Sequence, residues 1–97
     1  MKTYVQRLME LKDYAPENMF FTTSEEVARV RQALGLEEMH TELELRNMRD
    51  MTVLYYDSKI DRALERDDKH GFNRLMNAMQ SITAVIDDAL IRMKKAV

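Results

Sequence analysis

Apolar residues recur at helical spacing along most of the chain, and the last third repeats most strictly. Phe72, Met79, Ile86 and Met93 stand seven residues apart, and Leu75, Ile82 and Ala89 follow the first three of them by three positions. The pattern predicts a helix from Asp68 to Val97 with one apolar seam. Such a seam has to be covered by another helix, either of the same chain or of a second copy.

Upstream the pattern is more varied. Met1, Tyr4, Val5, Leu8 and Leu11 share a face by three-and-four spacing, which predicts a first short helix from Lys2 to Asp13, stopped by Pro16. The connection from Tyr14 to Thr22 carries Met19, Phe20 and Phe21, and these are expected to anchor in the core. A second helix is predicted over Ser24 to Leu34. Thr23 and Glu26 fit a capping box, Val27, Val30 and Leu34 supply the buried edge, and Gly35 stands where a left-handed cap belongs, with Leu36 behind it.

The third helix is expected to be long, from Glu37 to Arg66. Met39, Leu43, Val53, Tyr56, Ile60 and Leu64 lie broadly on one side, Met48, Met51 and Tyr55 on the other, and Leu54 between them. A helix apolar nearly all the way round is expected to be covered on more than one side, by its own neighbours or by another subunit. Glu65-Arg66-Asp67-Asp68 breaks it from the last helix, and Asp67 or Asp68 is placed to cap the new start. So short a link predicts an antiparallel hairpin, with a core of Ile60, Leu64, Phe72, Met79, Ile82 and Ile86. The fold class is therefore all-α: one domain over residues 1–97, a small antiparallel helical bundle of two long helices and two short N-terminal ones.

The run Ile60-Asp61-Arg62-Ala63-Leu64, then Arg66-Asp67-Asp68-Lys69, then Phe72 and Leu75, resembles the IDEAL domain, a short helical segment of small proteins from Bacillus-like bacteria. What the resemblance implies is a bacterial or phage origin and an interaction role; the family has no established catalytic residues to carry over. His70-Gly71 departs from the helix-favouring residues expected at that place.

Composition fits this architecture. In 97 residues there are two Gly and one Pro, little material for hairpins of strands, and the 45% hydrophobic and 33% charged residues are those of a globular chain. With no cysteine, disulfides and sulfur-ligand metal sites are excluded. No apolar stretch approaches the ~20 residues of a membrane span, and the start lacks the apolar run of a signal peptide, so the chain is expected to be cytoplasmic. A net charge of −2 steers neither toward nucleic acid nor toward mimicry of it.

Candidate chemistry is sparse. Glu37 and His40 have the Glu-x-x-His spacing of carboxylate-bridged di-iron bundles, but a second such pair and two further carboxylates are missing, so no metal or other cofactor is expected. Asp57 and Asp61 are expected to pair on the surface with Lys59, Arg62 and Arg66, and Asp87 and Asp88 to form the wet face of the last helix. Val30 to Leu36 resembles the turn of a helix-turn-helix, yet Arg31 occupies the place of a small packing residue, and Glu37 and Glu38 open the following helix with charges that repel phosphate. Nucleic acid is thus a poor partner. Nine methionines are plain core material at helical spacing, or else Met48, Met51, Met76 and Met79 form a soft binding groove.

The reading that remains is a non-enzymatic protein–protein interaction protein, a regulator, inhibitor or adaptor, meeting a protein partner or itself as a homo-oligomer through Met48, Met51, Leu54 and Tyr55. The alternative is an oligomer that sequesters a small anionic, nucleotide-type ligand. For it Tyr4, Tyr14, Tyr55 and Tyr56 are the stacking candidates, and Arg46, Arg49, Arg62 and Arg74 the phosphate binders.

Overall fold

The computed structural model describes residues 2–11, 24–36, 38 and 40–95, and among these described residues there are four helices and no strand. They are α1 (Tyr4–Leu11), α2 (Ser24–Leu34), α3 (Glu42–Glu65) and α4 (Lys69–Lys95). The expected aromatics Phe20 and Phe21, Pro16, Met19, the Thr23–Glu26 capping box, Met39 and Glu37 of the Glu37–His40 pair lie outside what is described.

α2 has the bounds its punctuation predicts, and its end is a full Schellman turn. Gly35 takes φ +74, the Gly35 N–H donates to the Gln32 carbonyl at 3.1 Å, and the Leu36 N–H donates to the Arg31 carbonyl at 2.9 Å. A Cβ at Gly35 would also collide with the Arg7 guanidinium, so α1 lies directly against this turn.

α3 begins five residues later than expected. Thr41 caps it: its hydroxyl accepts from the Glu44 N–H at 3.1 Å while the Glu44 carboxylate accepts from the Thr41 N–H at 3.3 Å. That reciprocal box stops the helix from extending back to Glu37, and its bond to the Thr41 N–H holds the Glu44 carboxyl below its ordinary value. At 24 residues α3 is about 36 Å long rather than the ~45 Å expected.

α3 ends on a second Schellman turn, with Asp67 in the left-handed region at φ 53. The Asp67 N–H donates to the Leu64 carbonyl at 3.1 Å and the Asp68 N–H to the Ala63 carbonyl at 2.8 Å. Asp68 then caps α4, its carboxylate accepting from the Gly71 N–H at 2.9 Å. A Cβ at Gly71 would strike that carboxylate. With Gly71 at that place the Asp68 carboxylate lies where a Cβ would otherwise stand.

α3 and α4 pack along their length as the antiparallel hairpin. The buried stripe of α3 is Leu45, Met48, Thr52, Tyr56, Ile60 and Ala63, and that of α4 is Ala78, Ile82, Val85 and Ile86, with Phe72, Leu75 and Met79 packed at its edge. Leu64 is not in the hairpin core: it is 59% exposed, and Ala63 faces α4 instead. The stripe steps by three from Ile60 to Ala63, which turns Leu64 outward. Leu43, 68% exposed, is likewise outside the core.

α1 and α2 pair with each other and cover the open end of the hairpin. Leu8, Leu11, Val30 and Leu34 join the same core cluster. Across the junction the Arg31 guanidinium donates to Asp88 at 2.8 Å and Tyr4 meets Thr52. Among the described residues no helix is long and apolar enough to cross a membrane.

Candidate functional site

Two neighbouring features of the hairpin stand apart from the rest of the surface. The first is a ridge on α3. At about 100° per residue, Asn47, Met51, Leu54, Tyr55 and Ser58 fall on one flank with no charge among them. Leu54 is 70% exposed at the crest, and Met51 and Tyr55 are half-buried beside it. Met48, the fourth residue expected to serve association, is 7% exposed and belongs to the chain's own core. One residue types both roles in sequence; burial separates them.

The second is a groove of about 360 Å³ where α3 and α4 diverge toward their link. Ala63, Ala78 and Gly71 leave the space, because small side chains there do not fill the gap between the helices. Tyr55 and Tyr56 form one wall, edge to face with ring centres 5.0 Å apart, and the Lys59 ammonium sits 4.6 Å over the Tyr55 ring. Lys59, Arg62, Arg66 and Arg74 line it, against the single carboxylate of Asp68. Burial first, and then the neighbouring Tyr55 and Tyr4, raise the Tyr56 hydroxyl well above the ordinary phenol range, so it stays a neutral wall.

The expected surface pairing of these cations with Asp57 and Asp61 does not form: among the described residues neither carboxylate lies within 4.0 Å of a cation. Spacing is the reason. Lys59 is two residues from Asp57 and Arg62 one from Asp61, offsets that point away from each other on a helix. The cations face the groove instead, with Asp57, Asp61 and Glu65 on the wet side of α3.

The structure sorts the residues suggested for stacking and phosphate binding. Tyr55, Tyr56, Arg62 and Arg74 come together at the groove. Arg46 is taken by Glu42 at 2.9 Å, Arg49 by Asp87 at 2.9 Å, and Tyr4 by Thr52 at 2.7 Å; Tyr14 lies outside the described residues. Lys59 and Arg66, expected in surface ion pairs, line the groove as well. The signal for them was present in the spacing Tyr55, Lys59, Arg62, Arg66, which keeps one helical flank.

The remaining motifs resolve into structural parts. The His40 Nε2–H donates to the Gly35 carbonyl at 2.6 Å, and among the described residues no group of three or more His, Cys, Asp or Glu is placed to hold a metal ion. Seven residues, Gly35 to Thr41, separate α2 from α3, more than the three or four of a helix-turn-helix, and Arg31 reaches α4 rather than a groove of DNA. Met48 is buried, and Met51, Met76 and Met79 pack half-buried against the core. Compared with protein-family models, curated proteins and solved structures, the chain matches none.

Proposed function

We propose that this is a non-enzymatic binding protein of the cytoplasm that associates with a protein partner, in the first place a second copy of itself, through the α3 ridge. The observation that carries the reading is Leu54: a leucine 70% exposed on the outer face of α3, with Met51 and Tyr55 half-buried on one side of it and the carboxylates of Asp50 and Asp57 on the other. Apolar ridges of this kind, rimmed by polar residues, mark association surfaces. The likeness of the Ile60 to Leu75 hairpin to the IDEAL domain points the same way, toward a regulator, inhibitor or adaptor of bacterial or phage origin.

Sedimentation velocity over a micromolar concentration series is the test. The chain is expected to sediment as an oligomer whose mass falls on dilution, and Leu54→Glu is expected to yield a monomer with unchanged helical circular dichroism. A wild-type chain that is monomeric throughout the series, or a Leu54→Glu variant that associates as well as wild type, would refute the reading.

A further inference from the structure

The cationic groove at the closed end of the hairpin shares only Tyr55 with that association surface, and its charge is unexplained by the fold. Elsewhere most arginines have a carboxylate partner: Arg7 with Glu38, Arg31 with Asp88 and Arg49 with Asp87 between segments, Arg46 with Glu42 and Arg92 with Asp88 within their own helices. None of Lys59, Arg62, Arg66 or Arg74 has a carboxylate within 4.0 Å among the described residues. Asp68, the one acid at the rim, already accepts from the Gly71 N–H in the cap of α4. Four like charges drawn around one concavity repel each other, and the fold would be easier to hold with an anion among them.

We infer that this groove binds a small phosphorylated molecule with a planar ring, of the nucleoside-phosphate class. Three guanidinium forks and an ammonium converge on one volume, the donor set suited to the several oxygens of a phosphate or diphosphate. The Lys59 ammonium lies over the Tyr55 ring, 4.6 Å from its centre, and as it turns to a phosphate that ring face is freed for the planar part. A volume of about 360 Å³ lies at the small end of the ~300–1,000 Å³ range of ligand pockets, room for one mononucleotide. An extended nucleic acid is a poorer occupant, because a strand leaving the groove over α3 meets Asp57, Asp61 and Glu65. No residue of α1 or α2 lines the groove, so the site is complete within the hairpin; it shares Tyr55 with the ridge but not Leu54.

Isothermal titration of the full chain with ADP, with inorganic pyrophosphate and with a short single-stranded oligonucleotide tests the assignment. ADP is expected to bind one per chain, more tightly than pyrophosphate, and more weakly as salt is raised. The double variant Arg62→Gln/Arg74→Gln should bind ADP about tenfold more weakly or worse, two charge-assisted contacts being lost, and Tyr55→Ala should erase the advantage of ADP over pyrophosphate. All three positions lie at least partly open to solvent, and circular dichroism checks that the variants fold; Arg66→Gln gives a second reading of the charge dependence should the double variant unfold. Absence of heat with ADP at millimolar concentration, undiminished binding by the charge variants, pyrophosphate bound as well as ADP, or binding of the oligonucleotide alone would each overturn the proposal. Leu54→Glu leaves the groove intact, so failure of self-association and failure of ligand binding read out separately.

Discussion

Thr52 is a polar side chain at 0% exposure, and its hydrogen bonds explain how the core tolerates it. Its hydroxyl donates to the Met48 carbonyl at 2.8 Å, which uses its one proton, so the Tyr4 hydroxyl 2.7 Å away must be the donor to it. That bond fastens α1 to the middle of α3. Tyr4→Phe removes the donor yet leaves Thr52 paired with its own helix, so the loss should be about 1 kcal/mol, read by equilibrium denaturation. Burial raises the Tyr4 hydroxyl from 10.0 to about 12, the bond to Thr52 opposing it. Because the folded state holds the proton more tightly, the stability linked to Tyr4 is complete below pH 10 and is lost as the pH rises to 12. Tyr4→Phe should flatten the alkaline fall in stability over that window; an unchanged alkaline profile would mean that Tyr4 is not buried as described. None of this is legible in the sequence, where Tyr4 counts as one apolar position among five and as a candidate for stacking, and nothing singles out Thr52.

The helix ends show which local signals can be read from sequence and which cannot. Gly35 announces the end of α2 because glycine alone enters the left-handed region without a side-chain penalty. Asp67 performs the same turn at the end of α3, but an aspartate before a second aspartate reads equally well as a cap for the next helix. The Thr41-x-x-Glu44 box was present in the letters, and the acidic run Glu37-Glu38 ahead of it masked the start it marks. Leu64 went to the core in the expected pattern because four-residue steps from Tyr56 and Ile60 lead to it, while the packed stripe takes a three-residue step to Ala63. At the groove, Tyr55 and Arg62 were legible as residue types, but the joining of Arg74 to them depends on how α4 lies against α3. The left-handed Asp67 carries a testable cost. Asp67→Gly should stabilise the chain by ~0.5–1 kcal/mol by relieving a conformation unfavourable to a side chain, partly offset by the greater freedom of an unfolded glycine. A loss in thermal or denaturant midpoint would instead show that the Asp67 carboxylate contributes to the start of α4.

The whole molecule measures 46 × 27 × 26 Å, its long dimension set by the α3–α4 hairpin and its breadth by α1 and α2 at one end. Such a shape has one thin core, and its stability depends on few side chains. Ile82 and Ile86 are both at 0% exposure in the cluster that also holds Leu8, Leu34 and Met48. Ile86→Ala should therefore leave a cavity that helices locked on three other elements cannot collapse into, costing ~2–5 kcal/mol out of the ~5–10 kcal/mol expected of a domain this small. Its neighbour Asp87 tests the contrast. The Arg49 Nε–H donates to Asp87 at 2.9 Å across the hairpin, but both side chains are about half exposed, so Asp87→Ala should cost no more than ~1 kcal/mol, and less as salt is raised. Denaturant titrations of the two variants at low and high salt decide it. Equal losses would mean that the charged latch, rather than the seam of isoleucines, holds α4 on α3; a large, salt-independent loss at Asp87 alone would place its carboxylate in a role that surface pairing does not account for.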